Sequence, residues 1–242
     1  MRLWQWVIGL AVLASPAVAA EAPQAHFIGG VNDYAPWYYA NPVDPTRPGA
    51  QVDAFRDIAQ RLRVTIEITP QPNARLIESL RDGTIDLMLA PDEPALRGAD
   101  LDCGSIGSIG RLLISAASAP LSSPGNLAGK RIGLIRPYTL NAMSGKNADV
   151  EVVELENLAQ GVRMLAAGRL DGIMGNDLAL RSLATDSPDL ARTLAPAVVL
   201  PQQNIHIWVG LASPLKDQCK ALIAVAAKIR AEGMVEKVLS RY

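Results

Sequence analysis

One stretch occurs twice and limits the folds open to this chain. Leu80-Arg81-Asp82-Gly83-Thr84-Ile85-Asp86-Leu87-Met88-Leu89-Ala90-Pro91-Asp92 is matched by Leu165-Ala166-Ala167-Gly168-Arg169-Leu170-Asp171-Gly172-Ile173-Met174-Gly175-Asn176-Asp177, with Leu, Gly, Asp and a final Asp at the same offsets. Each copy reads as the end of an amphipathic helix, a Gly free to take the left-handed conformation that stops a helix, a short turn, and an apolar strand buried on both faces. Two α/β units of similar build follow. In open α/β sheets ligands bind beyond the carboxyl ends of the strands, where loop amides and helix amino termini converge. Pro91 to Arg97 and Gly175 to Asp177 therefore face a shared cleft in this reading, with two lobes closing on one small molecule.

The first twenty residues fall outside that pattern. Arg2 is followed by an apolar run from Leu3 to Ala14 and by Ser15-Pro16-Ala17-Val18-Ala19, which ends in the small residues a signal peptidase reads. The expectation is a cleaved leader over residues 1–20, no lipidated cysteine, no permanent membrane anchor, and an exported soluble product. The formal net charge of −1, with no run of basic residues, gives no sign of a nucleic-acid or anionic-membrane partner. In an oxidising compartment the two cysteines, Cys103 and Cys219, favour a long-range disulfide, with two separate buried thiols as the alternative. Two isolated histidines and these cysteines show no metal-ligand spacing, and no cofactor is implied.

Along the chain, His26 to Val31 reads as a first strand and Asn32 to Tyr39 as an aromatic-rich loop, in which Tyr34 and Trp37 either wall a ligand or cap the sheet. Helices are expected over Asp53–Leu62, Asn73–Arg81 with Asn73 as N-cap, Leu158–Ala167, Leu178–Ala184 and Asp217–Arg230. Strands are expected over Val64–Ile68, Ile85–Ala90, Arg131–Ile135, Val150–Leu155, Ile173–Met174 and Asn204–Leu211. The Gly- and Ser-containing apolar segment from Ser105 to Ala117 makes the first crossing between lobes, and Asn204–Leu211 the return. The division is lobe 1 over residues 21–110, lobe 2 over 111–203, and a return strand with C-terminal helices over 204–242. Asp86 and Asp171 read as turn formers whose carboxylates accept backbone amides.

The order of these signals resembles the family 3 extracellular solute-binding proteins, the periplasmic receptors of polar amino acid importers. Tyr34-x-Pro36-Trp37, Gly49-x-x-Val52-Asp53, Leu80-x-x-Gly83-x-x-Asp86, Arg97 before Cys103, Leu127-x-Gly129-Lys130-x-x-Gly133 and Leu165-x-x-Gly168-Arg169-x-Asp171 carry the resemblance over the whole chain after the leader. It implies a two-lobe, type II periplasmic-binding-protein fold, each lobe a mixed sheet flanked by helices and hinged by two crossing segments. It also implies a non-catalytic monomer that delivers a carboxylate-bearing ligand to a membrane permease or receptor. By position Arg97 is the family's carboxylate-gripping arginine. Where the family has an acid for the ligand's amino group this chain has Asn176, followed by Asp177. Pro94 replaces a Thr or Ser, and Arg136-Pro137-Tyr138-Thr139 replaces a Gly-Ser or Gly-Thr pair. These departures suit a different ligand, more acidic or less amine-like, and equally a receptor whose ligand site has drifted. The ligand-facing set is then Arg97, Tyr34, Trp37, Asp92, Arg136, Tyr138, Asn176, Asp177 and Arg75. Two alternatives stand beside the transport reading: a sensory or accessory periplasmic protein with an altered site, and a dehydratase-like enzyme using Glu93, Asp92 or Asp177 as acid.

Overall fold

The computed structural model describes residues 25–98, 100–123, 125, 127–135 and 149–242. The expected leader, Arg136 and Tyr138 lie outside the described residues. Strand β1 (His26–Asn32) is followed by α1 (Ala50–Leu62), β2 (Thr65–Gln71), α2 (Asn73–Asp82) and β3 (Leu87–Pro91). The helices carry the crossovers that parallel pairing requires, so β1 pairs in parallel with both β2 and β3. A second unit of the same kind follows the long strand β4 (Asp100–Ile114): β5 (Arg131–Ile135), β6 (Glu151–Leu155), α3 (Leu158–Ala166) and β7 (Gly172–Asn176), with β5 parallel to β6 and β7. Helices α4 (Asp177–Asp186) and α5 (Pro188–Ala191) lead to the long strand β8 (Val198–Gly210), and α6 (Cys219–Ala231) and α7 (Met234–Leu239) end the chain.

The eight strands form one mixed sheet in the order β2-β1-β3-β8-β4-β7-β5-β6. Its two halves are joined by β4 and β8, each of which belongs to both. The C-terminal end of β8 pairs with β3 through Ile205 to Val209, while the C-terminal end of β4 pairs with β7 through Arg111 to Ile114. Between those ends the β4–β8 register breaks three times, after Asp102, Ser105 and Ile109. Such bulges bend and twist a strand pair, and Gly104 at φ 101° supplies a backbone conformation that a side chain would resist. The apolar packing is divided as well: Phe55, Ile58 and Leu87 belong to a core in the first half, Val162, Leu165 and Ile173 to one in the second.

The two repeat copies fold alike. Gly83 (φ 79°) and Gly168 (φ 67°) both take the left-handed conformation at the end of a helix, and every residue of β3 is buried, as a strand covered on both faces should be. Local differences from the sequence expectations concern helix ends and the two long strands. Asn73 is the first residue of α2 rather than its cap; Pro72 precedes it and no side chain caps the helix. The crossing from Ser105 is part of a 15-residue strand, and the return strand starts at Val198 instead of Asn204. Helix α7 has no counterpart in the sequence reading because six residues give too little periodicity to recognise. Cys103 and Cys219 are joined in a disulfide, tying the start of β4 to the start of α6.

Candidate functional site

A cleft with about 1040 Å³ of empty space, its open mouth included, lies where the two halves of the sheet meet. The first half contributes the aromatic loop after β1 and the amino end of α1. Gly49, at φ 132°, lets α1 start against the loop: a Cβ there would stand 2.3 Å from the Trp37 carbonyl oxygen. Ala50 and Gln51 then donate their amides to the carbonyls of Pro36 and Trp37 at 2.9 and 3.2 Å. The Tyr242 hydroxyl accepts from the Gly49 amide and donates to Asp53, both at 3.0 Å, so the far end of the chain secures this corner. Gln51 is buried and joins two strand ends, accepting from the Asn32 amide at 2.7 Å and donating to the Leu89 carbonyl at 3.1 Å.

Tyr34 and Trp37 both line the cleft and are half-buried. Burial pushes the Tyr34 hydroxyl up to about 12, against the opposing effect of a hydrogen bond from Trp37. The second half supplies Leu134, Ile135, Met174 and Asn176. Asn176 is the N-cap of α4, its Oδ1 accepting from the Ala179 amide at 2.8 Å. With that oxygen engaged, its amide NH2 is the group best suited to a ligand, as a donor to an oxygen.

The joining strands contribute charge. Arg111 on β4 and Glu93 just after β3 both line the cleft, at 8% and 3% exposure. Arg111 Nε donates to the Pro201 carbonyl at 2.9 Å, and Gln203 Nε2 donates to Glu93 Oε1 at 3.2 Å, so β8 orients both groups. Burial lowers the Arg111 pKa, while the negative charge of Glu93 opposes that fall.

The other sequence-derived site residues are placed differently. Arg97 does not line the cleft: its side chain is 63% exposed and forms an ion pair with Asp92, from Nε to Oδ1 at 2.7 Å. That pairing holds the Asp92 carboxyl below its usual range. Arg75 is exposed on α2, 3.8 Å from Glu78. Asp177 opens α4 and packs against Gly110 outside the lining. Tyr34, Trp37 and Asn176 are thus brought together, whereas Arg97, Asp92, Arg75 and Asp177 are not. Arg111, Gln51, Gln203 and the α7 residues Val235 and Val238, which also line the cleft, went unread. A lone arginine in the apolar run from Ser105 to Ala117 was the one available signal for Arg111. Among the described residues no group of His, Cys, Asp and Glu could hold a metal ion, and no helix is long and apolar enough to cross a membrane.

Residues 27–92 match the family described as bacterial extracellular solute-binding proteins, family 3. No curated protein matches the chain in sequence. Among solved structures, a mutant of ArgBP from T. maritima is 18% identical and superposes with a TM-score of 0.69 over 90% of this chain and 95% of that one. The amino acid ABC transporter substrate-binding protein AbpA from Streptococcus pneumoniae, bound to L-arginine, is 18% identical with a TM-score of 0.69, over 90% and 94% of the two chains. A histidine kinase sensor domain with similarity to periplasmic binding proteins is 19% identical with a TM-score of 0.70, over 90% and 95%. At these identities the structural likeness establishes the fold, which is that of the type II periplasmic binding proteins. Within that fold the match to the family 3 solute-binding proteins covers residues 27–92.

Proposed function

We propose that the chain, with its family 3 signature and type II fold, is a non-catalytic periplasmic receptor. It captures a small, carboxylate-bearing ligand between two lobes and delivers it to an ABC-type importer. The observation that carries this reading is the composition of the cleft wall: Trp37 and Gln51 come from one half of the sheet, Met174 and Asn176 from the other, and Arg111 from a strand shared by both. A ligand touching both halves favours the arrangement in which they approach, and that differential affinity is what drives closure. The buried Arg111 guanidinium and the Asn176 amide supply donors for a carboxylate.

A sensory role is the second reading. The histidine kinase sensor domain among the similar structures favours it, as does the unusual Pro91-Asp92-Glu93-Pro94 segment. In either role the ligand would act through a membrane partner, a permease or a receptor.

The test is a thermal-shift screen of the chain from Glu21 onward, stripped of carried-over ligand by unfolding and refolding, against amino acids, dicarboxylates and other small anions. A ligand at ~100 times its dissociation constant adds ~2.7 kcal/mol, enough to raise the melting temperature by several degrees. One class of hits supports the receptor; a flat response across the panel contradicts it.

A further inference from the structure

Helix α4 is shared between the two apolar cores. Leu178, in its first turn, is fully buried in the first-half core, to which Ile109 of β4 and Val235 and Val238 of α7 also belong, whereas Ala179 and Leu183 of the same helix lie in the second-half core. Among the described residues of the second half, Leu178 is the one buried side chain that belongs to the first core. The end of α7 meets α4 as well, Arg181 Nη2 donating to the Leu239 carbonyl at 3.4 Å. Helix α7 in turn lies on the bend of β4: a Cβ at Gly107, between two of the register breaks, would stand 2.8 Å from the Val235 Cβ.

This junction sits directly behind the cleft, since Asn176, the N-cap of α4, and Val235 and Val238 of α7 all line it. A rotation of the halves about the bulged β4–β8 pair carries α4 past α7. Withdrawing Leu178 from the first core during such a rotation returns an apolar side chain to water, and a close-packed interior offers discrete seats rather than continuous deformation.

We propose that the seat of Leu178 in the first core fixes the angle between the two halves of the sheet, which makes Leu178 a positioning residue for closure of the cleft. The inference rests on the receptor reading, because only a closing cleft gives that angle a use. Leu178 itself is fully buried and absent from the cleft wall. Asn176, two residues earlier, is on the wall, so a ligand that touches Asn176 acts on the helix that carries the seat.

The experiment measures the angle without a ligand. Glu67 and Glu151 are exposed on β2 and β6, the two edge strands, one in each half. Spin labels are coupled through Glu67→Cys and Glu151→Cys in the chain from Glu21, with the Cys103–Cys219 bond intact, and the distribution of distances between them is read by pulsed electron resonance. The expected result is a broadened or displaced distribution in Leu178→Ala. Leu178→Met, which keeps the volume, should superpose on the unaltered chain. So should Leu183→Ala, which removes the same atoms from the same helix on the side of the other core, although it too lowers the melting temperature. A distribution in Leu178→Ala that superposes on that of the unaltered chain overturns the inference and leaves the receptor reading standing; so does an equal change in Leu183→Ala. If Leu178→Ala does not fold, Leu178→Val is read in its place against the same two outcomes. A flat thermal-shift screen contradicts the receptor reading separately, since the label distances are measured without any ligand.

Discussion

The Asp86 carboxylate accepts the amide proton of Ile28 at 2.7 Å, and the Asp86 amide donates back to the Ile28 carbonyl at 2.8 Å. The repeat copy does the same thing: Asp171 accepts from the Arg131 amide at 2.9 Å and donates to its carbonyl at 2.9 Å. In each half the Asp of the repeat ties the turn before one strand to its parallel neighbour. Asp86 also accepts from the Ser213 hydroxyl at 2.6 Å, whereas the second donor to Asp171 is the Arg131 guanidinium at 3.2 Å, which is 37% exposed and can turn to water instead. Asp86→Ala should destabilise the fold by about 2–4 kcal/mol, more than Asp171→Ala, as read by urea denaturation.

Two other carboxylate effects have opposite pH dependence. The amide and guanidinium of Arg131 lower the Asp171 pKa in the fold. Its stabilising contribution is therefore complete above the unfolded value of about 3.9 and is lost as pH falls through the folded one. Asp100 is buried with neither carboxylate oxygen hydrogen-bonded, and burial raises its pKa. Its contribution is present while it is protonated and is lost as pH rises from about 3.9 through the folded value. Asp171→Asn should thus lower the melting temperature at pH 7 and have little effect at pH 3. Asp100→Asn should raise it at pH 7 and have little effect at pH 3. Thermal melts at the two pH values check both signs.

The Cys103–Cys219 bond spans 116 residues, a segment that contains the whole second half of the sheet. Closing so long a loop restricts the unfolded chain strongly, and removing such a bond typically costs about 2–5 kcal/mol. Cys103→Ala with Cys219→Ala should lose that amount, measured against the oxidised protein, and a reducing agent should lower the melting temperature of the unaltered chain but not of the double variant.

Tyr242 should matter more to the cleft than its place in the sequence suggests. Its ring stacks on Tyr39 at 6.2 Å with the Arg47 guanidinium 5.2 Å from its centroid, and its hydroxyl joins Gly49 to Asp53. Tyr242→Phe removes the hydroxyl and leaves the Gly49 amide without that acceptor, a loss of about 1–3 kcal/mol. Because Gly49 abuts the backbone of Trp37 and Tyr38, the same change should also alter the emission of Trp37.

Periodicity and turn chemistry made the α/β units legible. Gly83, Gly168, Asp86 and Asp171 do locally what their residue types suggest, so the repeat could be read without tertiary information. The site was less legible, because its geometry comes from long-range packing. Arg97 has the family position and an acid five residues before it, and at the exposed mouth of a loop that acid pairs with it. Arg111 is functional in our reading only because β4 and β8 bend past one another and bring it to the cleft, a relationship between two strands that no local pattern encodes. Helix α7 reaches the cleft by packing of Val235 and Val238, again without a local signal.

The most direct test is a fluorescence titration. After the expected leader is removed, Trp37 and Trp208 are the remaining tryptophans; Trp37 lines the cleft, whereas Trp208 is 2% exposed in the core. A compound that raises the melting temperature should produce a saturable change in emission, and that change should vanish in Trp37→Phe while the Trp208 signal is retained. A change that persists in Trp37→Phe, or stabilisation without any change in the emission of Trp37, would contradict the claim that the ligand lies in this cleft.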